Sequence, residues 1–236
     1  MKMHLNSVSF DSRQYPTTDE YPFKLELVRK TPEISFTTPV TFFAGENGSG
    51  KTTVLQGICR KCGIHIWQDE PGKRFRNNPY EDDLYRYMKV EWENGSVPGS
   101  YYGSQIFQDF TRFLDDWAAA TPEILDYYGG ESLMTKSHGQ SLMAYFRARY
   151  KLKGLYFLDE PEAALSPNNQ LAFLDLLAES TADGRAQFII ATQSPIIMSL
   201  PGAVIYNFDS VPLRPVEYED TEHYRVYYDF LNNLNK

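Results

Sequence analysis

An apolar, β-favouring run, Val40-Thr-Phe-Phe-Ala44, leads directly into Gly45-Glu46-Asn47-Gly48-Ser49-Gly50-Lys51-Thr52. Thr53-Val-Leu-Gln follows with the character of a helix start. Few folds accept a strand, a glycine-rich turn and a helix in this order. The glycines let the main chain wrap so that successive N–H groups point inward, an arrangement that suits phosphate oxygens. The positive end of the following helix adds to that field. Lys51 would reach the β- and γ-phosphates of a nucleotide, with Thr53 beside it, and the Thr52 hydroxyl would ligate Mg2+. The pattern does not choose among kinases, GTPases and ATPases. The Asn-Lys-x-Asp run with which GTPases read guanine is absent.

Hydrolysis needs a second metal-side group. Leu155-Tyr-Phe-Leu158 is a short apolar run that ends in Asp159-Glu160. It has the pattern of a buried parallel strand. Such strands deliver functional residues at their carboxyl ends, beside the phosphate loop. Asp159 would then hold Mg2+, commonly through water. Glu160 would polarise the attacking water.

The chain of 236 residues carries a net charge of −8. That length allows one large domain or two small ones. The negative balance argues against a surface coated in phosphate-binding Lys and Arg, though not against a local basic groove. No apolar stretch has the length of a membrane span. Met1–Phe10 alternates and lacks the apolar block of a signal peptide, so a soluble cytoplasmic protein is expected, with no membrane partner. Cys59 and Cys62 lie late in the helix expected after the phosphate loop, with only His65 near. Packing thiols fit better than a redox or zinc pair.

Gly45–Thr52 together with Asp159-Glu-Pro-Glu-Ala-Ala-Leu-Ser-Pro167 resembles the ABC-type and SMC-like group of P-loop ATPases, in particular small stand-alone bacterial ATPases with OLD-like and RecF-like heads. Ser137-His-Gly-Gln-Ser141, Ile189-Ile-Ala-Thr-Gln-Ser-Pro195 and Thr221-Glu-His-Tyr224 extend the likeness. The resemblance implies an α/β P-loop fold, a mixed sheet with an N-terminal antiparallel layer and an inserted helical subdomain. Residues 1–63 and 151–236 would form the nucleotide-binding lobe, and about 64–150 the insertion. It also implies that Ser137, Gly139 and Gln140 form a signature-like motif at a helix start. That motif would serve the ATP of a second subunit in a head-to-tail homodimer. Gln105 would be the lid glutamine that touches Mg2+ and water, with Gln56, Gln68 and Gln108 as rivals. Gln193 stands where the group usually places a His against the γ-phosphate. An amide can donate there but carries no positive charge, so slow turnover is expected.

Met3–Phe10, Phe23–Val28 and Glu33–Phe36 read as strands. Gln105–Trp117 and Pro122–Tyr128 read as helices, and Tyr224, Tyr227, Tyr228 and Leu231 mark an amphipathic C-terminal helix for core or dimer packing. Phe10, Arg13 and Tyr15 are candidate adenine contacts, with packing the plainer role. Lys73-Arg-Phe-Arg76 reads as a solvated loop, and contact with DNA or RNA finds no further support. The expected function is Mg2+-dependent ATP binding and hydrolysis, driving a conformational switch for an unknown partner such as a co-encoded effector. The alternatives are a regulatory subunit that binds ATP with little hydrolysis, and the nucleotide subunit of a transporter.

Overall fold

The computed structural model describes residues 3–67, 78–128, 130–135 and 137–233. In chain order the elements are β1 (Leu5–Phe10), α1 (Glu26–Lys30), β2 (Glu33–Ser35), β3 (Val40–Ala44), α2 (Lys51–Lys61), β4 (Met88–Trp92) and β5 (Gly99–Gly103). They continue with α3 (Ser104–Ala120), α4 (His138–Arg149), β6 (Gly154–Asp159), α5 (Pro167–Thr181), β7 (Ala186–Ala191), α6 (Pro195–Met198), β8 (Val204–Asn207), β9 (Arg214–Val216) and α7 (Glu222–Asn233). Among the described residues the strands form two sheets. One is antiparallel, in the order β2-β1-β4, and the other is ordered β5-β6-β7-β3-β8-β9. The larger sheet is parallel except for the β8–β9 pair.

The apolar strands of the larger sheet are covered on both faces. Along β7, Ile189 and Ala191 pack into a core shared with the antiparallel sheet and α2. Phe188 and Ile190 pack on the other side, with Leu142, Phe146 and Phe173 of α4 and α5. This two-sided burial explains why β3, β6 and β7 are continuous apolar runs rather than alternating ones. Gln187 joins the two sheets. Its Oε1 accepts from the His4 and Leu5 N–H groups at 2.9 and 2.8 Å, and its Nε2 donates to the Leu5 carbonyl at 2.9 Å. One amide thereby satisfies main-chain groups that would otherwise be buried without partners.

Three sequence expectations need correction. Phe23–Val28 does not form a strand; α1 starts at Glu26, and Phe23, Leu27 and Val28 are buried together. Phe23 packs from the turn before the helix, and Lys30 pairs with Glu26 one turn back at 3.2 Å. The segment about 64–150 is not a purely helical insertion, because it supplies β4 to the antiparallel sheet and β5 to the edge of the larger one. Its helical part runs from Ser104 to Arg149. Finally, α7 is not core of this chain: Val226, Tyr227, Tyr228, Phe230 and Leu231 are all exposed.

Strand register positions the site. Gly103 of β5 pairs with Asp159 of β6, Asp159 with Ala191 of β7, and Ala191 with Phe43 of β3. The carboxyl ends of four parallel strands are therefore flush. The phosphate loop, the acidic pair, Gln193 and the first turn of α3 all leave the sheet at one edge.

Candidate functional site

The turn between β3 and α2 is held open by residues in the left-handed region. Gly50 caps α2 at φ +99°, and a side chain there would also meet Leu27 and Leu25 at 3.1 and 3.3 Å. A β-carbon is costly in that conformation. Helix α2 begins at Lys51, two residues before the expected start at Thr53. Lys51 is buried, and its ammonium donates to the Gly45 and Glu46 carbonyls at 2.6 and 2.8 Å. Burial lowers its pKa, and the nearby Glu160, Asp209, Asp159 and Glu162 carboxylates oppose that shift. Asp209, after β8, accepts from the Glu46 N–H at 3.0 and 3.2 Å, and so ties down the start of the loop.

The acidic strand end lies against the loop. Thr52 donates its hydroxyl to Asp159 Oδ1 at 3.0 Å. Tyr101 donates to the other oxygen, Oδ2, at 3.0 Å, and Gln56 donates to the Tyr101 hydroxyl at 3.1 Å. Burial pushes the Asp159 carboxyl up to about 6, while the Tyr101 and Thr52 hydrogen bonds pull it back. Glu160 is the one non-glycine residue at positive φ among the described residues, at +49°. Its N–H donates to the Ala191 carbonyl at 2.9 Å, which ties β6 to β7 just past the sheet. A side chain held in this region commonly marks a functional turn.

Gln193 follows β7. Its side-chain amide donates to Asn47 Oδ1 of the phosphate loop, and its main-chain N–H donates to Glu162 Oε1 at 2.6 Å. Gln105 lies in the first turn of α3, beside the Asp159 strand end; its side chain, like that of Gln108, is outside the described residues. Its rival Gln56 is engaged with Tyr101, and Gln68 and the Lys73–Arg76 cluster lie outside the described residues.

Ser137 and Gln140 form a reciprocal cap on α4. The Gln140 N–H donates to Ser137 Oγ at 3.4 Å, and the Ser137 N–H donates to Gln140 Oε1 at 3.1 Å. A β-carbon on Gly139 would meet the Ala164 carbonyl and Asn169 Nδ2, both at 2.9 Å, so its smallness serves packing within the chain. Among the described residues no hydrogen bond joins Ser137, Gly139 or Gln140 to the phosphate loop.

Sequence reasoning missed several residues here. Tyr101, Glu162 and Asp209 carry no role in the sequence reading. Tyr21 shares a hydrogen bond between its hydroxyl and that of Thr53, and Asn78 holds the Tyr21 carbonyl at 2.6 Å. Tyr21 thus meets the first turn of α2, just after the phosphate loop. Phe10 is buried core, Arg13 is exposed, and Tyr15 packs on Phe23 and Tyr87. Burial pushes the Cys59 and Cys62 thiols up, Cys62 to about 12, which disfavours the thiolate at neutral pH.

The oxygens of Thr52 and Asp159 fit a hard divalent cation. Mg2+ takes one or two protein oxygens and completes its shell with water and nucleotide phosphates. Among the described residues no cluster of three or more His, Cys, Asp or Glu could hold a metal by itself.

Two family models match, "AAA domain" over residues 23–102 and "AAA domain, putative AbiEii toxin, Type IV TA system" over residues 140–199. The fluoroquinolones export ATP-binding proteins of two Mycobacterium tuberculosis strains are 25% identical over 159 residues, which cover 61% of this chain and 50% of theirs. The chain thus spans about half the length of the curated relatives it matches. The structure is similar to cbiO1 of Clostridium perfringens, part of the ABC transporter complex cbiONQ, with a TM-score of 0.52, 14% identity and coverage of 98% and 97% of the two chains. It is also similar to the ATP-binding cassette MJ1267 of an ABC transporter in its ADP conformation, with a TM-score of 0.50, 15% identity and coverage of 88% and 87%. The expected mixed α/β architecture is the one found. With the fold, the phosphate loop and the two partial AAA-domain matches in agreement, the chain has the P-loop ATPase fold seen in ATP-binding cassettes.

Proposed function

We propose that this chain binds ATP with Mg2+ and hydrolyses it at a site completed by a second copy of itself. The observation that carries this reading is the hydrogen bond between Thr52 and Asp159, with Glu160 the next residue and its charge acting on Lys51. When bound, Mg2+ would neutralise developing phosphate charge. Lys51 and the loop N–H groups would bind the β- and γ-phosphates, and Tyr21 would lie beside Thr53. Glu160 would accept the proton of the attacking water. Gln193 would exchange Asn47 for a γ-phosphate oxygen. Among the described residues Ser137, Gly139 and Gln140 make no hydrogen bond to the phosphate loop, which supports giving their helix start to the nucleotide of a partner copy. The head-to-tail closure would be the switch, because only ATP offers a γ-phosphate to both sides.

Turnover per monomer should rise with protein concentration through the range of self-association. A rate unchanged down to isolated monomers would sink the composite site. Glu160→Gln should retain ATP, stop hydrolysis and accumulate dimers in size-exclusion chromatography.

Gln193 favours a second reading, a regulatory subunit that binds ATP and hydrolyses little, since a neutral amide stabilises less charge than a cation. The export role in the names of the Mycobacterium tuberculosis relatives raises a third, the nucleotide subunit of a transporter. Among the described residues no helix is long and apolar enough to cross a membrane. A co-purifying membrane protein would therefore be the sign of that role.

A further inference from the structure

The strained turn at Glu160 sends the chain into a short 3-10 turn, Pro161–Ala164. That turn aims the Glu162 side chain back at the end of β7. The two strand ends are then tied twice, in opposite directions. The Glu160 N–H donates to the Ala191 carbonyl at 2.9 Å, and Glu162 Oε1 accepts from the Gln193 N–H at 2.6 Å. Glu162 Oε2 is buried without a partner, and so is the Tyr102 hydroxyl, whose ionisation the Glu162 charge opposes. Tyr102 lies on β5, three residues before Gln105. Keeping this part-buried carboxylate costs free energy.

We propose that Glu162 is a positioning residue for γ-phosphate recognition: it pins the Gln193 main chain so that the Gln193 amide is free to leave Asn47 for the nucleotide. The proposal rests on the nucleotide site described above. Glu162 touches no substrate and acts through Gln193. Removing its oxygen leaves the part-buried Gln193 N–H without its partner, and the backbone must move to satisfy it. The amide at its far end then loses its aim. Glu162→Gln keeps an acceptor for that N–H and brings a donor toward the Tyr102 hydroxyl, so it should preserve the geometry.

The test measures equilibrium affinity for a non-hydrolysable ATP analogue and for ADP, both with Mg2+, by calorimetry. Glu162→Ala should lose about fivefold or more in affinity for the analogue, as one lost hydrogen bond implies, with ADP affinity unchanged within twofold. Glu162→Gln should keep both affinities within twofold of the parent. Gln193→Ala should show the same selective loss, and the double variant Glu162→Ala/Gln193→Ala no further loss, because the two act through one contact. Equal loss for ADP and analogue, additive losses, or no loss in Glu162→Ala would overturn the proposal. So would a Glu162→Ala chain that unfolds together with a Glu162→Gln chain as impaired toward both nucleotides. A parent protein that binds both nucleotides equally would instead refute the Gln193 assignment itself, and the proposal with it.

Discussion

Thr52 and Asp159 lie 107 positions apart in the chain, yet the hydroxyl of one donates to the carboxylate of the other at 3.0 Å. The contact follows from parallel register, since β3, β7 and β6 end level and Asp159 leaves the sheet beside the first turn of α2. The Asp159 carboxylate is gripped on both sides, by Thr52 on Oδ1 and by Tyr101 on Oδ2.

Burial of that carboxylate has a pH signature. Its pKa rises to about 6 in the folded chain, from about 4 in the unfolded one. The folded state therefore holds the proton more tightly, and this group's contribution to stability falls as pH rises through that window. Asp159→Asn removes the effect. Without nucleotide or metal, the variant should melt higher than the parent at pH 8, and the difference should vanish near pH 4. Parallel melting curves across that range would contradict this account.

Tyr101→Phe deletes the hydrogen bond to Oδ2 and also orphans the Gln56 amide. The carboxylate becomes free to rotate away from Thr52. The Mg2+ concentration for half-maximal turnover should rise about 10-fold, the range seen when outer-shell partners of metal ligands are lost. ATP affinity measured with EDTA should stay unchanged. A shift in ATP affinity without metal would point to general damage instead.

Glu160 sits at φ +49°, a conformation that costs a non-glycine residue about 1–2 kcal/mol. Glu160→Gly should relieve that strain, so the melting temperature holds or rises while hydrolysis disappears. A clear loss of stability would show that the Glu160 side chain is structural.

Gly50→Ala tests the loop. At φ +99°, with Leu27 3.1 Å from a new β-carbon, the variant should lose about 1–2 kcal/mol of stability. It should also bind nucleotide poorly, since the N–H groups that face the phosphates shift with the turn. Normal nucleotide affinity in a folded Gly50→Ala protein would argue against phosphate binding by this loop.

Gln187 is buried at 1% exposure and satisfies three main-chain groups of His4 and Leu5. Gln187→Leu keeps the volume but strands those groups, at a cost on the order of 3 kcal/mol. Denaturant unfolding should show that loss. A change below about 1 kcal/mol would mean that water or a shifted β1 replaces the amide.

The phosphate loop and the Asp159-Glu160 strand end were legible because each is local. Glycine spacing reports a turn, and a short apolar run ending in acid reports a buried strand. Phe23–Val28 was misread because six residues with four apolar positions satisfy either period, and only the packing of Phe23, Leu27 and Val28 decided for a helix. The strands β4 and β5 were hidden in a segment rich in Gly, Pro and charge, where edge strands carry a weak pattern. Tyr21, Tyr101, Glu162 and Asp209 could not be found at all from spacing. Their partners lie 31 to 163 positions away.

The sequence by itself determined the chemistry that this chain can offer: a glycine turn with one lysine for phosphates, and hydroxyl and carboxylate oxygens for a hard cation. Tertiary structure decided which distant groups steady them. Flush strand ends put Tyr101 on Asp159, Glu162 behind Gln193 and Asp209 under the loop. The reason is physical. A loop's glycines are set by its own backbone angles, whereas a partner across a sheet is chosen by register and burial, which exist only once the whole core has formed.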